Sequence, residues 1–269
     1  MFTPSNRQKT EDQRVEADLL EVNLSNHLFV RLGAKSKKLT KVDFRYSIFD
    51  TCYLRNCSFD SCDFTGCRFV GSNFNGSSFS GCKFEYAIFE RTVLDADVLM
   101  TSCPGPENLK LRFARTLRMN FQQLGDAISA NKAIAIELQA TEVHLHKSWR
   151  SPESYYRAKY KGLGRLKVFF EWLEFKFLDL IWGNGESALK LLRTTAAVLI
   201  FITLVDAAVF NDPTLTVTFK DALIRSPQIF FGTLIPKNYP GFYSTTVLAV
   251  RLTLFALFMS TLIKRFNRR

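Results

Sequence analysis

Histidine is scarce in this chain of 269 residues, which holds only three, and the usual signatures of catalysis are missing. The sequence shows no paired nucleophile and base, no phosphate-binding loop and no cluster of metal-ligating side chains at ligand spacing. It therefore predicts that the protein is not an enzyme, with no catalytic residue, no metal and no cofactor.

A secretory signal is also missing from the start of the sequence. Residues 1–14 are polar and charged and contain no apolar core of the kind that such signals need. We therefore expect the N-terminal module to lie in the cytosol. Because cytosolic cysteines are normally reduced, the six cysteines are expected to be free thiols rather than disulfides.

Acidic residues are outnumbered, with 25 Asp and Glu against 36 Lys and Arg, which gives a formal net charge of +11. Such an excess is typical of proteins that bind nucleic acid or an anionic membrane surface. The bases flank apolar stretches in residues 165–193 and 264–269, whereas residues 39–99 hold eight acids against six bases. This distribution favours lipid over nucleic acid as the partner.

What the sequence has in abundance is a hydrophobic residue at every fifth position. From Leu19 to Leu99, sixteen of the seventeen positions at this spacing are Leu or Phe, and Ala34 is the exception. Neither the helix period of 3.6 nor the strand period of 2 keeps every fifth residue on one face over such a length. A solenoid, in which each repeat stacks on the one before, does so.

A small residue, often Cys or Ser, stands two positions before most of these centres, as in CDFTG, CRFVG, SNFNG, SSFSG and CKFEY in residues 62–86. These segments resemble the pentapeptide-repeat family. The resemblance implies a right-handed quadrilateral β-helix with four pentapeptides per coil, in which the central residue and the small residue point inward. A coil of twenty residues would place Cys62 beneath Cys82, so we interpret the cysteines as core residues rather than zinc ligands.

The ladder is interrupted at residues 34–38, where three lysines predict a surface loop.

After the turn-rich CPGP of residues 103–106, the spacing becomes helical over residues 109–149, which predicts two helices with a break near Ala130 and Asn131. His144 and His146 would point to different faces of a helix, and we interpret them as surface residues rather than as a site.

Residues 166–182 are rich in aromatic side chains but carry five charges, which are too many for a membrane span. They are predicted to form an amphipathic helix at the membrane interface, with a helix packed in a soluble core as the alternative.

Residues 188–210 and 243–263 are each long enough to cross a hydrocarbon core of about 30 Å at about 1.5 Å per residue. They predict two transmembrane helices.

Basic residues number nine on the flanks of these two stretches and three between them. The positive-inside rule therefore puts both termini in the cytoplasm and residues 211–241 outside. The outer segment is predicted to contain a short helix over residues 219–230, followed by irregular backbone. Such backbone is tolerated at membrane depth only where it lines water or is buried in protein.

In this region the chain resembles bacterial two-transmembrane ion-channel domains attached to pentapeptide repeats. The resemblance lies in WGNGESALKLLR, residues 182–193, and in FKDAL, residues 219–223. It implies a homo-oligomer, tetrameric in such channels, in the bacterial inner membrane. The potassium-channel filter TVGYG is absent, and FGTLIP stands in its place. The candidate pore residues are Phe231, Gly232, Thr233, Leu234, Ile235 and Pro236.

Asp206 and Arg251 are charged residues inside the predicted spans, where charges are rare and seldom face lipid. One interpretation is a salt bridge between them, within one chain or between subunits. The other makes Arg251 a pore-lining cation that favours anions.

The predicted fold class is mixed, with a β-helix followed by α-helical modules. The predicted organisation is a polar N-terminal tail (1–18), a pentapeptide-repeat β-helix (19–103), a helical connector (104–162), an interfacial amphipathic helix (163–186) and a two-transmembrane pore-like module (187–269). The predicted function is an oligomeric ion channel whose cytoplasmic repeat domain assembles or gates the pore. Its partners would be the lipid bilayer, ions, further copies of the chain and an unidentified cytoplasmic partner, with no nucleic acid. The alternative is a membrane-anchored scaffold that does not conduct.

The distribution of basic residues yields a topological prediction. A reporter fused after Arg269 is expected to report the cytoplasm, and a reporter inserted near Asn238 is expected to report the outside, because the bases flank the spans. Paired phosphatase and fluorescent-protein fusions measure both positions. The opposite pattern would show that the basic flanks do not set the orientation.

Overall fold

The computed structural model describes residues 7–210, 216–235 and 239–266. The chain divides into two units, one ending at Phe169 and the other beginning at Phe170. The N-terminal unit is a β-solenoid of about four turns followed by a helical region, and the C-terminal unit is helical.

The solenoid is built from strands of two to four residues. They are β1 (Gln8–Glu11), β2 (Leu19–Leu20), β3 (His27–Val30), β4 (Gly33–Lys35), β5 (Lys38–Thr40), β6 (Ile48–Asp50), β7 (Tyr53–Arg55), β8 (Ser58–Asp60), β9 (Arg68–Val70), β10 (Ser78–Ser80) and β11 (Ile88–Glu90). The strands pair in the orders β1-β3-β6-β9-β11, β10-β8-β5-β2 and β4-β7. The strand pairs in the described part of the chain are parallel, so successive coils run in the same direction.

Residues that pair across neighbouring coils are twenty positions apart, as the sequence predicts. Phe29 pairs with Phe49, and Phe49 pairs with Phe69. The phenyl rings therefore stack, with centroids 5.0 Å apart for Phe49 and Phe69 and 4.7 Å apart for Phe69 and Phe89. These distances match the spacing of about 4.8 Å between hydrogen-bonded strands. The ring stacks fill the interior of the solenoid.

The small inward side chains tie each coil to the one before. The Ser72 hydroxyl accepts the N–H of Cys52 at 3.0 Å and donates to the carbonyl of Phe49 at 3.1 Å. Cysteines occupy the same positions, and five of the six are buried. Burial raises the pKa of the Cys52 thiol to about 11 and that of Cys67 to about 12. These thiols stay protonated and serve as core residues, which confirms the interpretation from their spacing.

The turns between strands recur with the same period, since a positive φ is found at every fifth residue from Glu21 to Arg91. Gly66, at φ +70°, shows why glycine is favoured at several of these turns. A Cβ there would also lie 2.7 Å from the ring of Tyr46 in the preceding coil.

The helices of the N-terminal unit are α1 (Val98–Thr101), α2 (Glu107–Gln123), α3 (Ala127–Arg150) and α4 (Ser154–Lys159), and α5 (Leu163–Trp182) continues into the C-terminal unit. The C-terminal unit also holds α6 (Ala188–Val205), a π-helical turn (Asp206–Phe210), α7 (Thr216–Phe231) and α8 (Gly241–Phe266). Two helices follow the solenoid as predicted, but the break near Ala130 was misplaced. It falls at Gly125, with φ +74°, and Asp126 caps α3 by accepting the N–H of Ser129.

Helix α2 closes the C-terminal end of the solenoid. Asn120, fully buried, accepts the N–H of Thr92 at 2.7 Å and donates to its carbonyl at 2.8 Å. The Thr116 hydroxyl accepts the N–H of Phe89 at 3.1 Å. An uncovered sheet edge would leave these groups unpaired and ready to bind another strand. Side chains of α2 therefore form with the last coil the hydrogen bonds that a further coil would form.

The prediction of a loop at residues 34–38 is wrong. Gly33–Lys35 forms β4 and pairs with β7, and β5 begins at Lys38. Ala34 is buried at the position that Leu or Phe holds in other repeats, while Lys35 and Lys38 are exposed. Lysines on the outward positions of a strand are compatible with solvent, so they do not mark an interruption.

The predicted N-terminal tail, residues 1–18, is also too long. Within it, β1 pairs with β3, and Thr10 lies opposite Phe29, nineteen rather than twenty residues away. This coil is one residue shorter, so its inward positions fall out of the five-residue spacing. Reading that spacing backward from Leu19 therefore meets Arg14 and Lys9 instead of Leu or Phe.

Phe69 gives a test of the stacked interior. It is 1% exposed and lies between Phe49 and Phe89, so Phe69→Asp buries an unpaired carboxylate. We expect it to lower the free energy of unfolding by several kcal/mol in thermal or denaturant unfolding followed by circular dichroism. Ser58→Asp, at an exposed position of β8, is the control and should have little effect. Equal stability of the two variants would contradict the inward assignment.

Candidate functional site

The candidate site lies in the C-terminal unit, around two long apolar helices. Ala188–Val209 and Gly241–Lys264, of 22 and 24 residues, are long and apolar enough to cross a membrane. Length and composition alone also allow the core helix of a soluble protein. Only 17% and 11% of the most apolar windows of these helices are buried, whereas a soluble core helix is mostly buried. Their apolar surfaces therefore require lipid or further protein around them.

Helix α7 joins these helices through a small apolar core. Ile202 of α6, Ile229 and Phe230 of α7 and Leu254 of α8 pack together in one cluster. The predicted short helix over residues 219–230 is found as the slightly longer α7. Pro227 lies inside α7 and has no N–H to donate. The Leu223 carbonyl, which that N–H would have bound, accepts the Ser226 hydroxyl at 3.2 Å instead.

The chain reverses direction after α7 at Gly232, which has φ +77°. The N–H groups of Thr233 and Leu234 both donate to the Gln228 carbonyl, at 2.9 and 3.2 Å, and so close the end of α7. Leu234 packs against the apolar cluster, whereas Ile235 is 77% exposed. We call residues 231–235 the return segment. They include five of the six candidate pore residues.

The sixth, Pro236, lies outside the described residues, and Phe231 is 65% exposed. The return segment runs beside α8, because a Cβ at Gly232 would collide with the guanidinium of Arg251. A glycine is therefore favoured at this position by its backbone conformation, and its missing side chain also leaves room for the end of Arg251.

The two intramembrane charges have different neighbours. Asp206, 3% exposed at the start of the π-helical turn, accepts a hydrogen bond from the Tyr239 hydroxyl. Arg251 lies against Gly232, and within the described residues it has no carboxylate within ion-pair distance. A salt bridge between Asp206 and Arg251 is thus not formed inside one chain. A bridge between two copies stays a prediction.

A cavity of about 220 Å³ lies between the return segment and α8. Its walls are formed by Ile229, Phe230, Gly232, Leu234, Ile235, Tyr239, Tyr243, Ser244, Val247, Leu248 and Arg251. Tyr239, Tyr243 and Ser244 are not among the residues predicted from the sequence. Their signal was the cluster of hydroxyl side chains in YPGFYS, residues 239–244, directly before an apolar stretch.

The motif WGNGES forms a tight corner between α5 and α6. Gly183, Asn184 and Gly185 all have positive φ, at 67°, 53° and 86°. Lys264, near the end of α8, lies 5.6 Å from the centroid of the Trp182 ring and is also close to the backbone of Gly185. The glycines therefore allow a basic residue of the second long helix to approach the start of the first.

The contact between Gly232 and Arg251 can be tested with matched glycines. Gly232→Ala is expected to destabilise the protein, because the new methyl group strains the left-handed backbone and displaces Arg251. Gly241→Ala, at the start of α8 with nothing within 4 Å of its Cβ, is expected to have no such effect. Thermal unfolding of the two variants in the same detergent measures the difference. If they unfold at the same temperature, the packing described for Gly232 is wrong.

Two models of the pentapeptide-repeat family match this chain. One, described as Pentapeptide repeats (8 copies), matches residues 38–76, and the other, described as Pentapeptide repeats (9 copies), matches residues 59–104. No curated protein matches the sequence at a significant level. Among solved structures, the chain is similar to two trypsin-treated forms of QnrB1, a plasmid-mediated fluoroquinolone resistance protein.

The first QnrB1 structure is 15% identical, with a TM-score of 0.15, and the match covers 34% of this chain and 64% of that one. The second is 19% identical, also with a TM-score of 0.15, and the match covers 33% and 54%. This chain thus spans less than two thirds of the length of either structure, and these values carry no functional argument. The family models and the twenty-residue stacking agree, so the chain contains a pentapeptide-repeat domain, and two helices long and apolar enough to cross a membrane follow it.

Proposed function

We propose that the protein is an oligomeric ion channel of the cell membrane. Its α6 and α8 would be the transmembrane helices, its return segment would line the pore, and its right-handed quadrilateral β-helix would lie in the cytoplasm. The solenoid and the helices after it would assemble or gate the pore. The repeat domain and the two apolar helices are compatible with a membrane-associated protein, and conduction of ions is the proposed addition.

The observation that carries the proposal is the position of the return segment beside the middle of α8. Arg251, which contacts Gly232, is ten residues into α8, or about 15 Å from its start at about 1.5 Å per residue. That is about half of a hydrocarbon core of about 30 Å. Gly232 contacts only the end of the Arg251 side chain, which tilts toward the start of α8. The return segment nevertheless lines one cavity with Val247 and Leu248, so it lies below the start of the helix. Irregular backbone at such a depth is tolerated where it lines water or is buried in protein.

The exposed apolar surfaces support an oligomer. Apolar grooves of about 480 and 530 Å³ lie on two sides of α8. Phe255 lines one groove and Phe242 the other, and both are exposed in a single copy, at 62% and 85%. Helices of neighbouring copies or lipid chains would fill these grooves. A pore formed by several copies would use one groove for the next subunit and leave the rest to lipid.

Single-channel recording in planar bilayers tests conduction, and Ile235→Cys tests the pore lining. We expect discrete currents from the purified full chain, and a charged thiol reagent should change the current of Ile235→Cys, because this exposed side chain lies in the return segment. Leu189→Cys is the matched control, since Leu189 is 78% exposed but belongs to the start of α6. Treated wild type is a second control, because five of its six cysteines are buried.

The rival function, a membrane-anchored scaffold, predicts a different outcome. Inserted protein would then give no discrete currents, and reagent binding at residue 235 would change nothing that is recorded. Chemical cross-linking of the same preparation should give a closed oligomer for a channel. A monomer that gives no currents would exclude the proposal.

A further inference from the structure

Among the described residues, Arg251 is a cation in apolar surroundings without a counter-charge. It is partly buried and lines both the 220 Å³ cavity and one of the apolar grooves. In the described part of the chain its guanidinium makes no hydrogen bond and no ion pair. Charged groups at membrane depth are costly and almost always paired. The counter-charge must therefore come from outside the described chain.

The cavity beside Arg251 has room for a small ion. Its volume of about 220 Å³ compares with the roughly 10–15 Å³ that a cavity needs on the same measure to hold one water molecule. An inorganic anion with part of its hydration shell fits this space.

Hydroxyl groups supply the remaining donors. Thr245 and Thr246 donate to the carbonyls four residues earlier, both at 2.9 Å, as is usual within apolar helices. The Ser244 hydroxyl makes no such bond in the described chain, and Ser244 lines the cavity. Ser244 and Arg251 are seven residues apart, so they lie on the same face of α8, about 10 Å apart along its axis.

The carboxylate of Asp206 does not face the cavity, so it does not repel an anion there at close range. Asp206 is not among the residues that line it. Tyr239 lines the cavity, and its hydroxyl donates a hydrogen bond to Asp206. The wall therefore presents a guanidinium, hydroxyl groups and apolar side chains.

We propose that this cavity binds a small monovalent inorganic anion, of the class of chloride or nitrate, with Arg251 as its counter-charge and Ser244 as a donor nearer the start of α8. The site deepens the proposed channel by naming its ion, but binding itself does not require conduction. Gly232 contributes by its missing side chain, which lets the guanidinium reach the return segment.

Chloride binding to the purified full chain tests the site, measured by the broadening of the chloride NMR line at constant ionic strength with gluconate as the balancing anion. We expect saturable broadening in wild type. Arg251→Gln is expected to raise the dissociation constant at least about tenfold, as for loss of a charge-assisted hydrogen bond. Arg251→Lys should keep most of the binding, and Arg193→Gln, at an exposed position of α6, should keep all of it.

If Arg251→Gln does not fold, Ser244→Ala provides the test, with an expected rise of about tenfold in the dissociation constant, because its hydroxyl donates to a charged acceptor. No saturable broadening in wild type, or equal broadening in wild type and Arg251→Gln, would overturn the site. Recording currents from the same preparations separates the two proposals. Binding without currents leaves the site standing and removes the channel, whereas currents without binding do the reverse.

Discussion

Stacking of one coil directly on the next is the interaction on which the N-terminal unit depends. The stacking combines a ladder of backbone hydrogen bonds, phenyl or aliphatic side chains packed on one another, and small side chains that bind the backbone of the coil before. A solenoid of this kind is stabilised by contacts between neighbouring coils rather than by one central core. It must therefore be closed wherever the stacking ends. Asn120 does so by forming with Thr92 the pair of hydrogen bonds that a further coil would supply.

The solenoid could be predicted from the sequence because its rule is local and strict. A one-in-five hydrophobic spacing has few structural solutions, and the twenty-residue register follows from it. The wrong predictions concern positions that belong to the solenoid but lack either the large hydrophobic residue or the five-residue spacing. Ala34 is buried but small, its lysine neighbours face solvent, and the coil that holds Thr10 is one residue short. In the connector, Gly125 and Asp126 marked the break between the helices more reliably than the apolar pattern did.

The C-terminal unit was predictable to a lesser degree. Apolar length and the Gly and Pro residues located the long helices and the helix between them, because those signals lie in the local sequence. The contacts of Asp206 with Tyr239 and of Arg251 with Gly232 join residues 33 and 19 positions apart, and no periodic pattern encodes them. Charge alone suggested that Asp206 and Arg251 pair with each other. The structure gives each another neighbour within the chain, since a tyrosine hydroxyl can satisfy a carboxylate and a glycine can make room for an arginine.

Closure of the solenoid by α2 sets how this domain can change in length. Coils between the first strand and α2 are interchangeable, because each presents the same backbone edge to the next. Whole units of twenty residues can therefore be gained or lost without altering the surface that α2 binds or the five-residue spacing of the inward positions. A coil of nineteen residues, as at Thr10, still pairs but shifts that spacing. Each unit changes the length by about 4.8 Å. The length of the domain can therefore change in steps of one coil, while the end that α2 closes stays the same.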